Sequence, residues 1–385
     1  MDLSNAQFVA LIGFVVAVIF GAVANKTSFC AMGAISDWVN IGDKNRLRAW
    51  CLAIGVAMLG SQVLQAVTPI DLKGSIYLTA NFSWLGHVLG GLLFGIGMTL
   101  GSGCGQRTLV RAGNGNLKSL VVLLVLAVVA YMTLRGLIAP FRIGVIEATN
   151  MDLTDHGFAD QGIVGMIAKA AGLEPSLTLR WAVISVIALG LIVFALASRS
   201  FRHSFDNLMA GFVVGAVIVT GWYVTGVIGF DDFEPVRLQS FSFVAPVAEN
   251  LQYLMTFTGS TIDFAVASVF GIFTGSFLYA VVSGKFRIET FATRNDMIAH
   301  LVGGVLMGFG GVIALGCTVG QGLTGLSTLA LGSVITVACI VFGSAVTMKV
   351  QYYLLDERGF GYALRMALAD LYLFPGPARA KEPPA

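Results

Sequence analysis

Nine separate apolar runs, at 7–24, 47–67, 84–100, 117–137, 180–197, 207–226, 263–283, 296–315 and 328–348, constrain this chain more than any other feature. Each is long enough to cross a hydrocarbon layer of about 30 Å. At that depth there is no water, so every backbone N–H and C=O must be satisfied within the chain, which helices achieve and open loops do not. The reading is an all-α polytopic membrane protein of about nine transmembrane helices. Charge agrees: 11% of residues are charged, against roughly 25% in soluble domains. No basic cluster precedes the first run, where Asp2 stands, so a cleaved signal peptide is not expected. Asp206, in the stretch "HSFDN", is expected to cap the sixth span.

The basic residues are partitioned sharply. Seventeen of the 23 Lys and Arg fall in one alternate set of loops: around Lys26–Arg48, Arg107–Lys118, Arg199–Arg202, Lys285–Arg294, and from Lys349 onward. The opposite loops, including 147–174 and 231–249, lean acidic. The positive-inside rule then expects the N-terminus outside and the C-terminus in the cytoplasm. A multi-pass protein of a bacterial inner membrane, in contact with lipid and with no nucleic-acid partner, is the corresponding expectation. A single transporter domain covers 1–350, with halves at about 7–137 and 207–348 and a linking span at 180–197. A cytoplasmic tail follows over 351–385.

Two segments break the hydrocarbon pattern in the same way. His87–Cys104, "HVLGGLLFGIGMTLGSGC", matches His300–Cys317, "HLVGGVLMGFGGVIALGC", at eight of 18 positions: the His, five glycines, a Leu and the Cys. Five spans separate them, so the two enter from opposite faces, which reads as an inverted-topology repeat with an hourglass-like shape and a pathway at its interface. A fainter echo pairs "SFCAMG" at 28–33 with "SFVAPV" at 242–247, and puts Val244 in the position of Cys30. The residues at 27–41, after Cys104 and at 317–327 are too apolar for surface loops and too short to span. They are expected to be re-entrant helices after spans one, three and eight.

Five cysteines, 30, 51, 104, 317 and 339, form no CxxC pair, which argues against a zinc or thioredoxin-like site. No metal and no cofactor are expected. Cys51 and Cys339 lie within spans and read as packing residues. Cys30, Cys104 and Cys317 each stand at the start of a short helix, where unpaired N–H groups and the helix dipole favour an anion. Glycines 103, 105, 316 and 320 are expected to let a solute approach the backbone, while Gln106, Thr318 and Gln321 add polar groups. These elements contain no carboxylate, so a small anion with a soft sulfur atom suits them better than a cation. Arg107, His87 and His300 are secondary candidates. Arg107 and Arg111 share a helix face and read mainly as inside anchors, and the two histidines mainly as packing residues.

"SFCAMGA", "GSGCGQRTLVRAGNG" and "ALGCTVGQGLTGLS", in this order on nine spans, resemble the YeeE/YedE membrane proteins, the TsuA-like thiosulfate transporters. The similarity runs from about residue 7 to 350. The resemblance implies thiosulfate uptake through an hourglass of two inverted halves. It implies that thiols matching Cys30, Cys104 and Cys317 relay the ion by S–H hydrogen bonds, and that a small TusA-like sulfur-carrier protein works at the cytoplasmic face. Such a protein is not an enzyme, and no nucleotide-binding loop is present. The alternatives are an intramembrane thiol enzyme, a membrane anchor for sulfur transfer, or a transporter of another sulfur or selenium species. The long loop at 138–178 and the tail have no role legible in the sequence.

Overall fold

The computed structural model describes residues 4–172, 176–231, 236–355 and 359–371. Among them nine helices are long and apolar enough to cross a membrane, one for each expected span. These are α1 (Asn5–Thr27), α3 (Asn45–Val67), α4 (Trp84–Leu100), α6 (Leu117–Leu134), α9 (Leu177–Leu196), α11 (Phe205–Tyr223), α13 (Phe264–Val282), α14 (Arg294–Ile313) and α15 (Leu331–Leu354). Between them lie shorter helices: α2 (Ala31–Ser36), α5 (Gly105–Gly113), α7 (Ala139–Phe141), α8 (Ile163–Ala170), α10 (Arg199–His203), α12 (Val244–Met255) and α16 (Phe360–Asp370). A helical stretch with π geometry at Gly320–Gly325 follows Cys317.

The helices pack reciprocally. α1 lies on α13 while α11 lies on α3, and α4 lies on α15 while α14 lies on α6. α4 and α14 also cross each other, and there glycine makes the contact possible. A Cβ at Gly90 would sit 2.6 Å from the Gly310 carbonyl oxygen, and one at Gly310 would sit 2.8 Å from that of Gly90. Gly97 and Gly303 meet in the same manner, at 2.8 and 2.7 Å. In lipid the hydrophobic effect does not pull helices together, so such close backbone contact is a main source of association.

Loops group as alternate crossing requires. The turn at 101–116 pairs with the 283–293 segment: Arg287 N–H donates to Asn114 O and Leu117 N–H to Glu289 O. On the other face, β1 (Asn81–Phe82) pairs antiparallel with β2 (Met151–Asp152), and Trp84 Nε1 donates to Thr149 O. The long loop has a structural task there. Leu331 N–H donates to Gln161 O and Ile163 N–H donates to Leu329 O, so the loop straps down the chain that leaves the Cys317 element.

Three expectations are corrected. Asp206 does not cap α11; Ser204 holds the N-cap position and Asp206 lies in the first turn, where its charge still suits the dipole. The 231–249 region is not all loop, because α12 begins at Val244 and buries Val244, Val247 and Ala248. The last span continues to Leu354, and α16 folds back on it through Tyr353 Oη to Asp370 Oδ2 at 2.6 Å. The acidic positions 232 and 234 lie outside the described residues.

Candidate functional site

Three helices stop in one manner, and each stop delivers a cysteine. Ser28, Ser102 and Leu315 adopt left-handed backbone, with φ of 52°, 57° and 57°. Each lies two residues before Cys30, Cys104 or Cys317. The next N–H reaches back five residues: Phe29 to Ala24 O (3.1 Å), Gly103 to Met98 O (2.9 Å) and Gly316 to Gly311 O (2.8 Å). This closure satisfies helix-end carbonyls. Left-handed geometry costs a non-glycine residue roughly 1–2 kcal/mol, a strain that the repeated closure holds in place. The residues that make the breaks are therefore two serines and a leucine, which the emphasis on glycine had missed.

Beyond each stop the chain starts a short helix. Cys30 is the N-cap of α2, and its Sγ accepts Gly33 N–H at 3.4 Å. Cys317 Sγ accepts Gly320 N–H at the same distance. Cys104 is the N-cap of α5, and its sulfur faces the Arg107 N–H without the close capping geometry of the other two. Its thiol also lies against the Cys30 thiol and the Thr318 hydroxyl. Cys317 meets the Ser242 side chain and the Phe243 N–H, at the start of α12. Four short-helix starts thus gather around the three thiols, and Cys104 and Cys317 are fully buried. Among the described residues no His/Cys/Asp/Glu group suits a metal ion.

Polar atoms around the thiols await a partner. Both amide atoms of Gln106, Arg107 Nη1 and Thr318 Oγ1 are buried and make no hydrogen bond of good geometry among the described residues. Leaving a buried polar group unpaired costs about 1–3 kcal/mol; of these groups Thr318 lies against the Cys104 thiol and Arg107 within electrostatic reach of Cys30. Gln321 differs, because its Nε2 donates to Ala314 O and its Oε1 accepts from Ser333 Oγ, both at 2.5 Å. Its amide is fully engaged in tying the element to its neighbours.

The remaining candidates divide by position. A Cβ at Gly105 would make only an ordinary 3.8 Å contact with Phe243, whereas Gly103 is filled by Arg107 Cγ at 3.2 Å and Gly316 by Gln321 Cγ at 3.1 Å. Arg111 Nη1 donates to Ser102 O at 2.9 Å, bracing a left-handed residue. His87 Nδ1 pairs with Thr336 Oγ1 at 2.8 Å, and its ring stacks on Phe82. His300 Nδ1 pairs with Asp296 O at 2.8 Å. The contacts of both histidines are with helix neighbours rather than with the thiol cluster. Cys51 and Cys339 are partly exposed within α3 and α15. Sequence reasoning missed Ser242, Phe243 and Tyr77; the "SF" shared by 28–29 and 242–243 was the available signal.

Nine helices long and apolar enough to cross a membrane, among the described residues, with a buried cluster of thiols between their short connecting helices, define an all-α polytopic membrane protein. Residues 26–346 match the family described as "Sulphur transport", and the chain belongs to that family. Two relatives are both named "Thiosulfate transporter TsuA". That of Escherichia coli (strain K12) is 27% identical over 322 residues, covering 81% of this chain and 86% of the relative. That of Spirochaeta thermophila is 23% identical over 335 residues, covering 86% and 96%.

Proposed function

We propose that this protein takes up thiosulfate across a bacterial inner membrane, passing the ion between the thiols of Cys317, Cys104 and Cys30. The observation that carries this reading is the contact of Cys30, Cys104 and Thr318, with Arg107 in electrostatic reach of Cys30 and a buried, unpartnered amide on Gln106 two residues after Cys104. An incoming anion accepts from the two donors among these groups, Gln106 Nε2 and Arg107 Nη1. In the relay, each thiol donates S–H to the ion, a weak bond that is easily exchanged for the next. The N–H accepted by Cys30 and by Cys317 occupies sulfur lone pairs and leaves their protons free to point at the ion. The terminal sulfur of thiosulfate is soft and suits a thiol better than any oxygen of sulfate does.

The reciprocal packing of α1, α3, α4 and α6 against α13, α11, α15 and α14 supports two halves of inverted topology. The short helices α2, α5 and α12, together with the Cys317 element, act as re-entrant segments whose starts meet near mid-membrane. The basic loops lie in the cytoplasm, as does the C-terminus, and a TusA-like carrier docks on that face. Transport, not catalysis, is the activity assigned. The touching thiols of Cys30 and Cys104 also suit a sulfur-transfer step, in which the Cys104 thiolate attacks the terminal sulfur of thiosulfate, the S–S bond breaks and sulfite leaves; a persulfide on Cys104 with sulfite released after turnover is the mark that would favour it.

Purified protein in liposomes tests the transport reading. Wild type is expected to admit labelled thiosulfate unaided, and Cys104→Ala and Cys317→Ala to lose most flux. Full flux in both variants, or none in wild type, overturns it.

A further inference from the structure

A cavity of about 670 Å³ opens where the long loop meets the end of α3 and the start of α9, and no thiol lines it among the described residues. Its wall carries Lys73, Lys169 and Arg180 against one carboxylate, Asp160. Half of the six Lys and Arg that stand outside the basic loops thus gather here. Lys73 Nζ lies 3.6 Å from Asp160 Oδ2, and Lys169 Nζ stands 4.1 Å over the Phe158 ring. Arg180 donates to amide oxygens alone: Nε to Gln62 Oε1 at 3.2 Å, and Nη2 to Gln62 Oε1 at 2.6 Å and to Gln65 Oε1. Among the described residues Lys169 and Arg180 close no ion pair.

The surroundings belong to a membrane surface. Trp181 follows Arg180 near the start of α9, and a Trp beside a cation at the end of a span marks the boundary between hydrocarbon and water. Below that level α9 is the least covered of the nine spans, with 17% of its apolar stretch buried. Val186, Leu189 and Val193 stand exposed along it, and Val63 and Val67 stand exposed on α3, against which α9 packs. The charged wall therefore lies above a surface suited to acyl chains. About 670 Å³ holds roughly twenty waters at about 30 Å³ each, far more than a small inorganic anion needs and enough for a glycerophosphate group.

We propose that this cavity binds the headgroup of one anionic phospholipid, with its phosphate between Lys169 and Arg180 and its acyl chains on α3 and α9. The site does not rest on the transport reading. Charge-assisted bonds to phosphate are stronger than those Arg180 makes to neutral amides, so the phosphate fixes the guanidinium. Gln62, which accepts from Arg180, donates from Nε2 to Ser327 O at 3.0 Å. Trp222 Nε1 holds the Ser327 hydroxyl at 3.1 Å. Ser327 stands just past the Gly320–Gly325 stretch, so the lipid, through Arg180 and Gln62, steadies the end of the Cys317 element.

Native mass spectrometry of the delipidated full-length protein tests the site, with phosphatidylglycerol, phosphatidylcholine and glycerol 1-phosphate as probes. Wild type is expected to hold one phosphatidylglycerol tightly and to prefer it to phosphatidylcholine. The double variant Lys73→Gln/Lys169→Gln should weaken that retention at least about tenfold, since each cation near a headgroup contributes about fivefold in affinity. Asp160→Asn keeps the oxygen that accepts Gly162 N–H at 2.8 Å and removes the opposing charge. It should tighten retention, a change that misfolding does not produce. Phosphatidylglycerol should also raise the melting temperature of wild type and not that of the double variant. Equal retention by wild type and the double variant overturns the site, as does equal retention of phosphatidylcholine or weaker retention by Asp160→Asn. Glycerol 1-phosphate held as tightly as the lipid overturns it too, and makes the cavity a site for a free anion. None of these readouts uses flux, so failure of the lipid site and failure of the transport reading are separate results.

Discussion

Cys30 and Cys317 make the same hydrogen bond: each thiol sulfur accepts the N–H of the residue three positions on, at 3.4 Å. Each holds the start of a short helix, and in the proposed relay each also presents a proton to the ion. Serine separates the two, because it is a good N-cap but offers a hard oxygen in place of sulfur. Cys317→Ser is expected to melt in detergent within about 0.5 kcal/mol of wild type while losing thiosulfate flux. Flux retained by the serine variant would mean that capping, not thiol chemistry, is what the position supplies.

Gln106 is a second place where stability and function pull apart. Its amide is fully buried and unpartnered, so an apolar residue of similar length removes a desolvation penalty of about 1–3 kcal/mol. Gln106→Leu should raise the melting temperature and reduce uptake at least about tenfold, since each 1.4 kcal/mol lost to the ion is tenfold in affinity. Gln321→Leu should behave oppositely in stability, because that amide is bonded at both ends. Equal melting shifts in the two variants would contradict the distinction.

Ser102 carries left-handed strain that glycine does not feel. Ser102→Gly is expected to stabilise the fold by up to about 1 kcal/mol, and Ser102→Val to destabilise it by at least as much. Thermal melts monitored by tryptophan fluorescence decide between this and a backbone that simply relaxes.

The crossing of α4 on α14 tolerates no side chain. Gly310→Leu forces its first carbon to within 2.8 Å of the Gly90 carbonyl, so it should abolish the monodisperse peak on size-exclusion chromatography. Gly190→Leu is the control, since nothing lies within 4 Å of a Cβ there, and it should leave the peak intact.

Length and hydropathy alone determined the nine spans, because a membrane demands about 20 apolar residues per crossing whatever the neighbours are. The repeated His-to-Cys segments and the placing of Cys30, Cys104 and Cys317 beside short helices were legible for the same local reason. α12 was not, because "SFVAPVAENLQ" has the polarity of a loop and becomes a buried helix only against α6 and α13.

Tertiary structure alone decided which polar groups are free. Gln106 and Gln321 read alike in sequence, both polar and both close after a cysteine. Only packing reveals that Ser333 and Ala314 satisfy one and that nothing among the described residues satisfies the other. The cavity of Lys73 and Lys169 is likewise assembled from segments about a hundred residues apart. Burial and pairing are properties of contacts between distant segments, and a linear pattern of residues carries no record of them.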